Sequence, residues 1–596
     1  PNFTQAHARA GLKSIRYPGG TVGNTFEWKK AIGPIGARAP IQPFSGGGTP
    51  TGVFGKPAPA TFGVDEAARW CGENGVEMIY MFGIAFGTPQ DAADLVEYLN
   101  APIGQNHNGG TDWAAVRAQN GHPAPYGVRY FEIANEADGP SQRYWWPFID
   151  SDQTRAKKKL PFQQERDSYA PEFLFGGMAK FEKQGVGTRD ERGATDFRDD
   201  QSNGDGTPNQ RKVIRYRPVE PGSEQVFVGD EPYTRVPDIS QATGKAYQID
   251  SATGVITFGD GQRTTVPPPG AAITASYRSR RHGFVDCYNA MKAVDPGIKI
   301  YAGYESPNIV TTLGDKHPYD GVVIHPYTNQ YNVPKAADLN DWHHNLMLSG
   351  ARLGHEVGEY QELIDKTVAP ARRGQVHVIC TEFGAIVQDQ VLPQEARGPY
   401  WRNLNIGLYT GQQLLHYMRA GVPQAHRHAT TVGVFGPSPE FEYTPTAMVY
   451  ETFTRHFGDR LIRLEMQNVP QRDTGRALIP GHGSPGKIIR ADAANRPATA
   501  VNVTLPKWDA EASRDAQGNV YILVINQDAT DDATVNLQVA GVTKGEVEVR
   551  TLNGPSLTAT SDNVRVQTTR AAFVDGMLRH AFPAHSLTTI KVPASR

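Results

Sequence analysis

The run Val128-Arg-Tyr-Phe-Glu-Ile-Ala-Asn-Glu136 constrains this chain more than any other, because it is largely apolar and ends abruptly in an amide and a carboxylate. Such a β-branched and aromatic run reads as a strand buried on both faces of a parallel sheet. The carboxyl ends of such strands are where barrel enzymes keep their reactive groups. A second run of the same form, Val376-His-Val-Ile-Cys-Thr-Glu-Phe-Gly384, carries Glu382. Two carboxylates in equivalent places suggest a working pair.

The same rhythm recurs along the chain. Strand-like runs fall at 14–20, 76–83, 128–136, 298–303, 321–327, 376–382 and 430–436. Between the second and third, Thr88 caps a segment with Pro89 at its first helical position and apolar Ala92, Leu95, Val96 and Leu99, which spells an amphipathic helix to Asn100. A second helix is expected over 284–294. Seven strands alternating with helices predict an α/β fold, a (β/α)8 TIM barrel whose first strand is missing from the sequence. An open seven-stranded barrel is the alternative, and it would expose two strand edges. The chain opens without an initiator Met or a signal peptide. Localisation is therefore left open between secreted or periplasmic and cytoplasmic.

The barrel is expected in two parts, 1–140 and 282–458, separated by an insertion over 141–281. The insertion is polar through Asn209, then alternates over 212–277 like a small β module, with strands at 225–228, 247–250, 254–258 and 272–277. Removing it leaves roughly 105 residues between the two glutamates, the length of three βα units at about 31–35 residues each. That count puts Glu136 on the fourth strand and Glu382 on the seventh. A helix over 446–457 leads into an all-β region, 459–596, with strands at 520–525, 534–539, 545–550 and 587–592. It reads as a C-terminal antiparallel β-sandwich.

A net charge of -2 gives no electrostatic footprint for nucleic acid or an anionic membrane, and no apolar run is long enough to span a bilayer. A neutral partner or substrate suits that surface, and homo-oligomerisation is left open. Cys71, Cys287 and Cys380 lack metal-ligand spacing and read as buried free thiols. His416, His426 and His428 have no carboxylate at ligand spacing, so they read as core or surface residues. No metal and no cofactor is expected.

Two carboxylates at one barrel mouth suit double displacement at an anomeric carbon, one as nucleophile and the other as acid and then base. Asn135 can donate to the neighbouring sugar hydroxyl. His325 and Tyr327, on the sixth strand, can orient Glu382 and tune its charge. Arg16 pointing into the mouth can pair a carboxylate. Trp145, in Tyr144-Trp-Trp146, either stacks on a sugar ring or seats the insertion.

The motifs Arg16-Tyr-Pro-Gly-Gly20 with Trp28 and Ile32-Gly-Pro34, Glu132-Ile-Ala-Asn-Glu136, His325-Pro-Tyr327, Thr381-Glu382 and Arg455-His-Phe-Gly458 resemble clan A retaining glycoside hydrolases. The resemblance is greatest to the family 51 α-L-arabinofuranosidases, with family 39 as a neighbour. It implies an exo-acting enzyme that releases terminal furanose residues, with Glu136 as acid/base, Glu382 as nucleophile and Asn135 as the hydroxyl-binding amide. The chain differs from that family in lacking its first strand, in the 141–281 insertion, and in Phe383 where a Trp commonly follows the glutamate. A family 39-like xylosidase, or a carbohydrate-binding protein that keeps the barrel without turnover, are the alternatives.

Overall fold

Short β-branched and aromatic runs form parallel strands here because helices cover both faces of the sheet they build. In a computed structural model that describes residues 2–41, 44–45, 53–54, 58–139, 162–189, 195–196, 202–398, 400–480 and 486–594, the chain divides into two units. One comprises Ser14–Val323 and Ile364–Val376, the other Pro1–Lys13, Ile324–Leu363 and His377–Arg596.

The first unit carries β1 (Ser14–Tyr17), β2 (Glu77–Phe82), β3 (Tyr130–Ile133), β4 (Lys299–Ala302) and β5 (Gly321–Ile324), neighbours in chain order. All pair in parallel, with Arg16 opposite Ile79, Tyr80 opposite Phe131, Ile133 opposite Ala302 and Tyr301 opposite Gly321. Parallel neighbours need a crossover, and helices supply it. The helix Pro89–Asn100 begins as its sequence predicts: Thr88 Oγ1 accepts the Asp91 N–H at 3.1 Å and the Asp91 carboxylate accepts the Thr88 N–H at 3.0 Å. Leu95, Val96 and Leu99 on its inner face are wholly buried, each contributing roughly 1.5–3 kcal/mol of transfer free energy. The helix Phe284–Val294 also falls where expected and buries Phe284, Cys287 and Met291.

The insertion folds as antiparallel β-structure within the same unit. Its strands Gln225–Val228, Ala246–Asp250, Val255–Phe258 and Ile273–Arg281 match the expected alternation. The strand Gly177–Gly185, which pairs with Ile273–Arg281, lies in the part that reads as polar and aperiodic. Only Ala179 and Phe181 are buried along it, between exposed Lys180 and Glu182, so its apolar signal is two residues long. The module is seated by arginines. Fully buried Arg281 donates to the carbonyls of Arg217, Ile84 and Ala85, the last two just beyond β2. Arg217 stacks on Phe86 at 4.4 Å and pairs with Glu27 at 3.4 Å.

The second unit carries three further parallel strands, β6 (Tyr327–Asn329), β7 (His377–Ile386) and β8 (Ala425–Arg427). Tyr327 lies opposite Gly384, and Cys380 opposite Ala425. Two sequence expectations are corrected here. The run 321–327 does not form one strand, because Pro326 has no N–H for a ladder, and β5 and β6 flank the His325-Pro326 step. The run 430–436 is no strand: Thr430–Val434 is a π-helical turn, with Val434 N–H bonded to Ala429 and Phe435 N–H to Thr430. A short apolar run does not distinguish strand from helical turn by periodicity, and β8 lies just before it.

The C-terminal region is antiparallel, as expected: β9 (Trp508–Arg514), β10 (Val520–Asn526), β11 (Ala533–Leu537), β12 (Gly545–Asn553), β13 (Arg565–Phe573), β14 (Leu578–Phe582) and β15 (Ser586–Val592). One sheet runs β9-β10-β15-β12-β13, and β11 pairs with β14 separately. The three cysteines are free and buried, His416 is largely buried, and among the described residues no helix is long and apolar enough to cross a membrane.

Arg281→Ala removes donors from three carbonyls. At about 1 kcal/mol or more per lost bond, the variant is expected to lose roughly 3 kcal/mol, read as a lower urea midpoint at unchanged slope.

Candidate active site

The β3 end turns sharply. Ala134 has φ 69° and Glu136 φ 45°, both in the left-handed region that side chains ordinarily avoid. Each costs on the order of 1–2 kcal/mol, so the surroundings must hold them there. Ala134 N–H bonds to Phe82 of β2 at 3.1 Å and Ala137 N–H to Gly303 beyond β4 at 3.2 Å. Position 303 must be glycine, since a Cβ would sit 1.9 Å from the Ala134 carbonyl oxygen. Fully buried Asn24 clamps the residue between: its Oδ1 accepts the Asn135 N–H at 2.8 Å and its Nδ2 donates to the Asn135 carbonyl at 2.9 Å.

Charge is placed with equal care. Arg16 of β1 donates through Nε and Nη2 to both oxygens of Glu132, each at 2.7 Å, and Nη2 also donates to Asn135 Oδ1 at 2.8 Å. Arg16 thus pairs a carboxylate, as the sequence suggested; that the carboxylate is Glu132, and that Asn135 shares the same guanidinium, was not foreseen. Asp138, two residues beyond Glu136, accepts the Glu305 N–H at 3.1 Å and lies 3.6 Å from Arg166, a residue of the insertion. Burial pushes the Asp138 carboxyl above its ordinary range, Arg166 pulls the other way, and the charge of Glu136 adds to the rise.

In the second unit, Glu382 follows Thr381 on β7. Its carboxylate accepts a hydrogen bond from the Tyr327 hydroxyl at 2.7 Å and lies 3.9 Å from His325 Nδ1. The other nitrogen of His325 is 2.9 Å from Thr381 Oγ1, which orients the ring. Glu382, His325 and Tyr327 therefore form the cluster expected of them. Two further residues join it. His428 lies edge-on to Tyr327 at 6.1 Å between ring centroids, and Arg427 donates to the Phe383 carbonyl at 3.2 Å. Gly384 is required beside Arg427, because a Cβ there would meet the guanidinium at 2.0 Å. Trp145 lies outside the described residues.

Asn24, Asp138 and Arg427 carried no functional signal in the sequence, Glu132 carried one that was not used, and His428 read only as a core or surface residue. Asn24 follows an unremarkable Thr-Val-Gly, and the others sit inside or beside runs that read as strands. The one usable signal was Glu132 itself, a carboxylate at the centre of an otherwise apolar strand, which demands a buried cation.

Asn24→Ala removes both clamping bonds from two strained residues' neighbour. A loss of about 2 kcal/mol is expected, measured by chemical denaturation, while Asn24→Ser should retain part of it through one bond.

The chain is also similar to known proteins. Residues 8–165 match the family model described as the α-L-arabinofuranosidase 1 domain. Probable α-L-arabinofuranosidase C of Aspergillus flavus is 34% identical over 128 residues, 22% of this chain and 23% of that protein. The exo-α-(1→6)-L-arabinofuranosidase of Bifidobacterium longum is 32% identical over 134 residues, with the same coverage of each. These alignments thus span about a quarter of the relatives' length. The α-L-arabinofuranosidase of Thermotoga maritima, solved with arabinose, matches with a TM-score of 0.61 at 19% identity, over 99% of this chain and 89% of that one. The family 51 enzyme of Thermotoga petrophila gives 0.62 at 18% over the same shares. The expected barrel with an additional antiparallel region is therefore the fold of this chain. Over its amino-terminal segment the chain is thus similar in sequence to α-L-arabinofuranosidases, and over nearly its whole length it has the fold of solved family 51 structures.

Proposed function

We propose that this protein is a retaining, exo-acting α-L-arabinofuranosidase in which Glu136 is the acid/base and Glu382 the nucleophile. The observation that carries the reading is the position of Glu136: it lies three residues beyond a buried parallel strand, inside the stretch that matches the α-L-arabinofuranosidase domain. Glu382 lies outside that stretch, and its role rests on its own surroundings within β7.

The Glu382 carboxylate attacks the anomeric carbon while Glu136 gives its proton to the departing glycosidic oxygen. A glycosyl ester forms as the glycosidic bond breaks. Glu136, now a carboxylate, takes a proton from water, whose oxygen attacks the same carbon and releases Glu382. Tyr327 supports the first step, since an O–H donor to a carboxylate favours the ionised form a nucleophile needs. Asn135 presents its amide N–H to the hydroxyl next to the reacting carbon, and that bond strengthens as charge develops. The substrate is a terminal arabinofuranosyl residue on a polysaccharide or oligosaccharide.

The test is hydrolysis of nitrophenyl α-L-arabinofuranoside beside β-xyloside and other pyranosides. Arabinofuranoside is expected to be the preferred substrate, its first-formed product the α anomer by NMR, and Glu382→Ala slower by on the order of 10⁴-fold. Release of the β anomer, or full activity in Glu382→Ala, would sink the mechanism; preference for xyloside would sink the substrate. Tyr327→Phe is expected to lower kcat about tenfold, the rate equivalent of one lost hydrogen bond. Losing that donor raises the carboxyl pKa, so the acidic limb of kcat/KM should move to higher pH. An unmoved limb would remove Tyr327 from the proposal.

A further inference from the structure

The C-terminal sandwich contains a cleft that its own packing does not require. Side chains alternate across a strand, so one face of β12 carries Val547, Val549, Thr551 and Asn553 in succession. Val547 and Val549 are core, with Phe573 of β13 and Leu578 and Phe582 of β14. Beyond Val549 the same inward face turns polar. Thr551 and Asn553 lie opposite Gln567 and Arg565 of β13, while Thr569 lies opposite Val549. On β14, His580 points the same way as Leu578 and Phe582, which flank it in the alternation.

The covering ribbon explains the opening. β11 and β14 are five residues each, against nine for β12 and β13, so the ribbon covers only the apolar end. What remains is a cleft of about 450 Å³ lined by Thr551, Asn553, Gln567, Thr569 and His580, with Pro555 and Pro583 at its margin. That volume lies within the range of roughly 300–1,000 Å³ typical of small-molecule sites.

The chemistry of the lining selects the ligand. No acidic side chain lines the cleft, which argues against a cation. Its one charged group, Arg565, is engaged with the carbonyls of Ser561, Val564 and Asp562, which argues against an anion. The side chains of Gln567, Thr569 and His580 hold no hydrogen bond to another described residue. Burial lowers the His580 pKa, leaving a neutral ring with one donor and one acceptor. Amide, hydroxyl and neutral imidazole groups in a cleft that prolines also line match a ring that bears a hydroxyl on nearly every carbon.

We propose that this cleft is a second carbohydrate site, which takes one or two neutral sugar units of a glycan chain apart from the residues assigned to catalysis. It rests on the sandwich alone and not on the arabinofuranosidase reading. Native electrophoresis through gels containing arabinan, arabinoxylan or mixed-linkage β-glucan tests it. The wild type is expected to be retarded by at least one polymer. The double variant Gln567→Ala/His580→Ala, and Thr569→Trp, which fills the cleft from an exposed position, should each bind that polymer at least fivefold more weakly. Both should keep the wild-type melting temperature and the wild-type kcat/KM on nitrophenyl arabinofuranoside. Retardation equal to wild type in both variants, or none in the wild type, would overturn the site. A protein that hydrolyses no aryl glycoside yet loses retardation in these variants would overturn the arabinofuranosidase reading and leave the cleft standing.

Discussion

A buried ion pair, Arg16 with Glu132, is the interaction on which the β3 strand end depends. Their side chains are 6% and 0% exposed, so each charge has given up nearly all its water. Leaving either alone would cost about 3–5 kcal/mol, and the two-point geometry of guanidinium on carboxylate fixes both in place. Glu132 is on β3, Arg16 on β1, and β2 runs between them. The pair therefore spans three strands and sets how far β3 advances relative to β1. Asn135, three residues further on, receives Arg16's remaining contact, and the left-handed residues on either side follow from that fixed point.

The barrel rhythm was legible because burial on both faces leaves little choice of residue: β2, β3 and β4, and the helices beginning at Pro89 and Phe284, fall where apolar period and capping put them. The site was legible to the extent that chemistry collects at strand ends, which singled out Asn135, Glu136 and Glu382. What escaped was set by distance in sequence. Asn24 acts on a residue more than 100 positions away, and nothing in its neighbours announces that. The 430–436 run misled because three apolar side chains, Val432, Val434 and Phe435, satisfy a strand and a π-turn equally well. The strand Gly177–Gly185 escaped for the opposite reason, since only Ala179 and Phe181 are buried along it and Lys180, Glu182 and Lys183 break its apolar pattern.

The insertion is more than a tolerated interruption. A long excursion between β3 and β4 adds little closure entropy, but it must still be held against the barrel. Arginine does so by donating to main-chain carbonyls that loops beyond a strand leave unpaired, as Arg281 does at Ile84 and Ala85. The same excursion delivers Arg166 to Asp138, and the Tyr304 hydroxyl donates to the Arg166 carbonyl. The loop that carries Glu136 is thus braced by β4's connection on one side and by the insertion on the other. A carboxyl raised by burial at position 138 is the electrostatic consequence of that bracing.

The guanidinium also settles which way the Asn135 amide faces. Arginine only donates, so the Asn135 atom that meets Nη2 must be the carbonyl oxygen. Its NH2 group is then turned to the other side, where it can only donate. A sugar hydroxyl placed there has to accept, and an accepting hydroxyl beside the anomeric carbon keeps its own proton available for a carboxylate. Lysine in place of Arg16 would keep the charge but not the planar fork that binds Glu132 and Asn135 together. The orientation of the amide is therefore a property of a residue on another strand, inherited through one shared nitrogen.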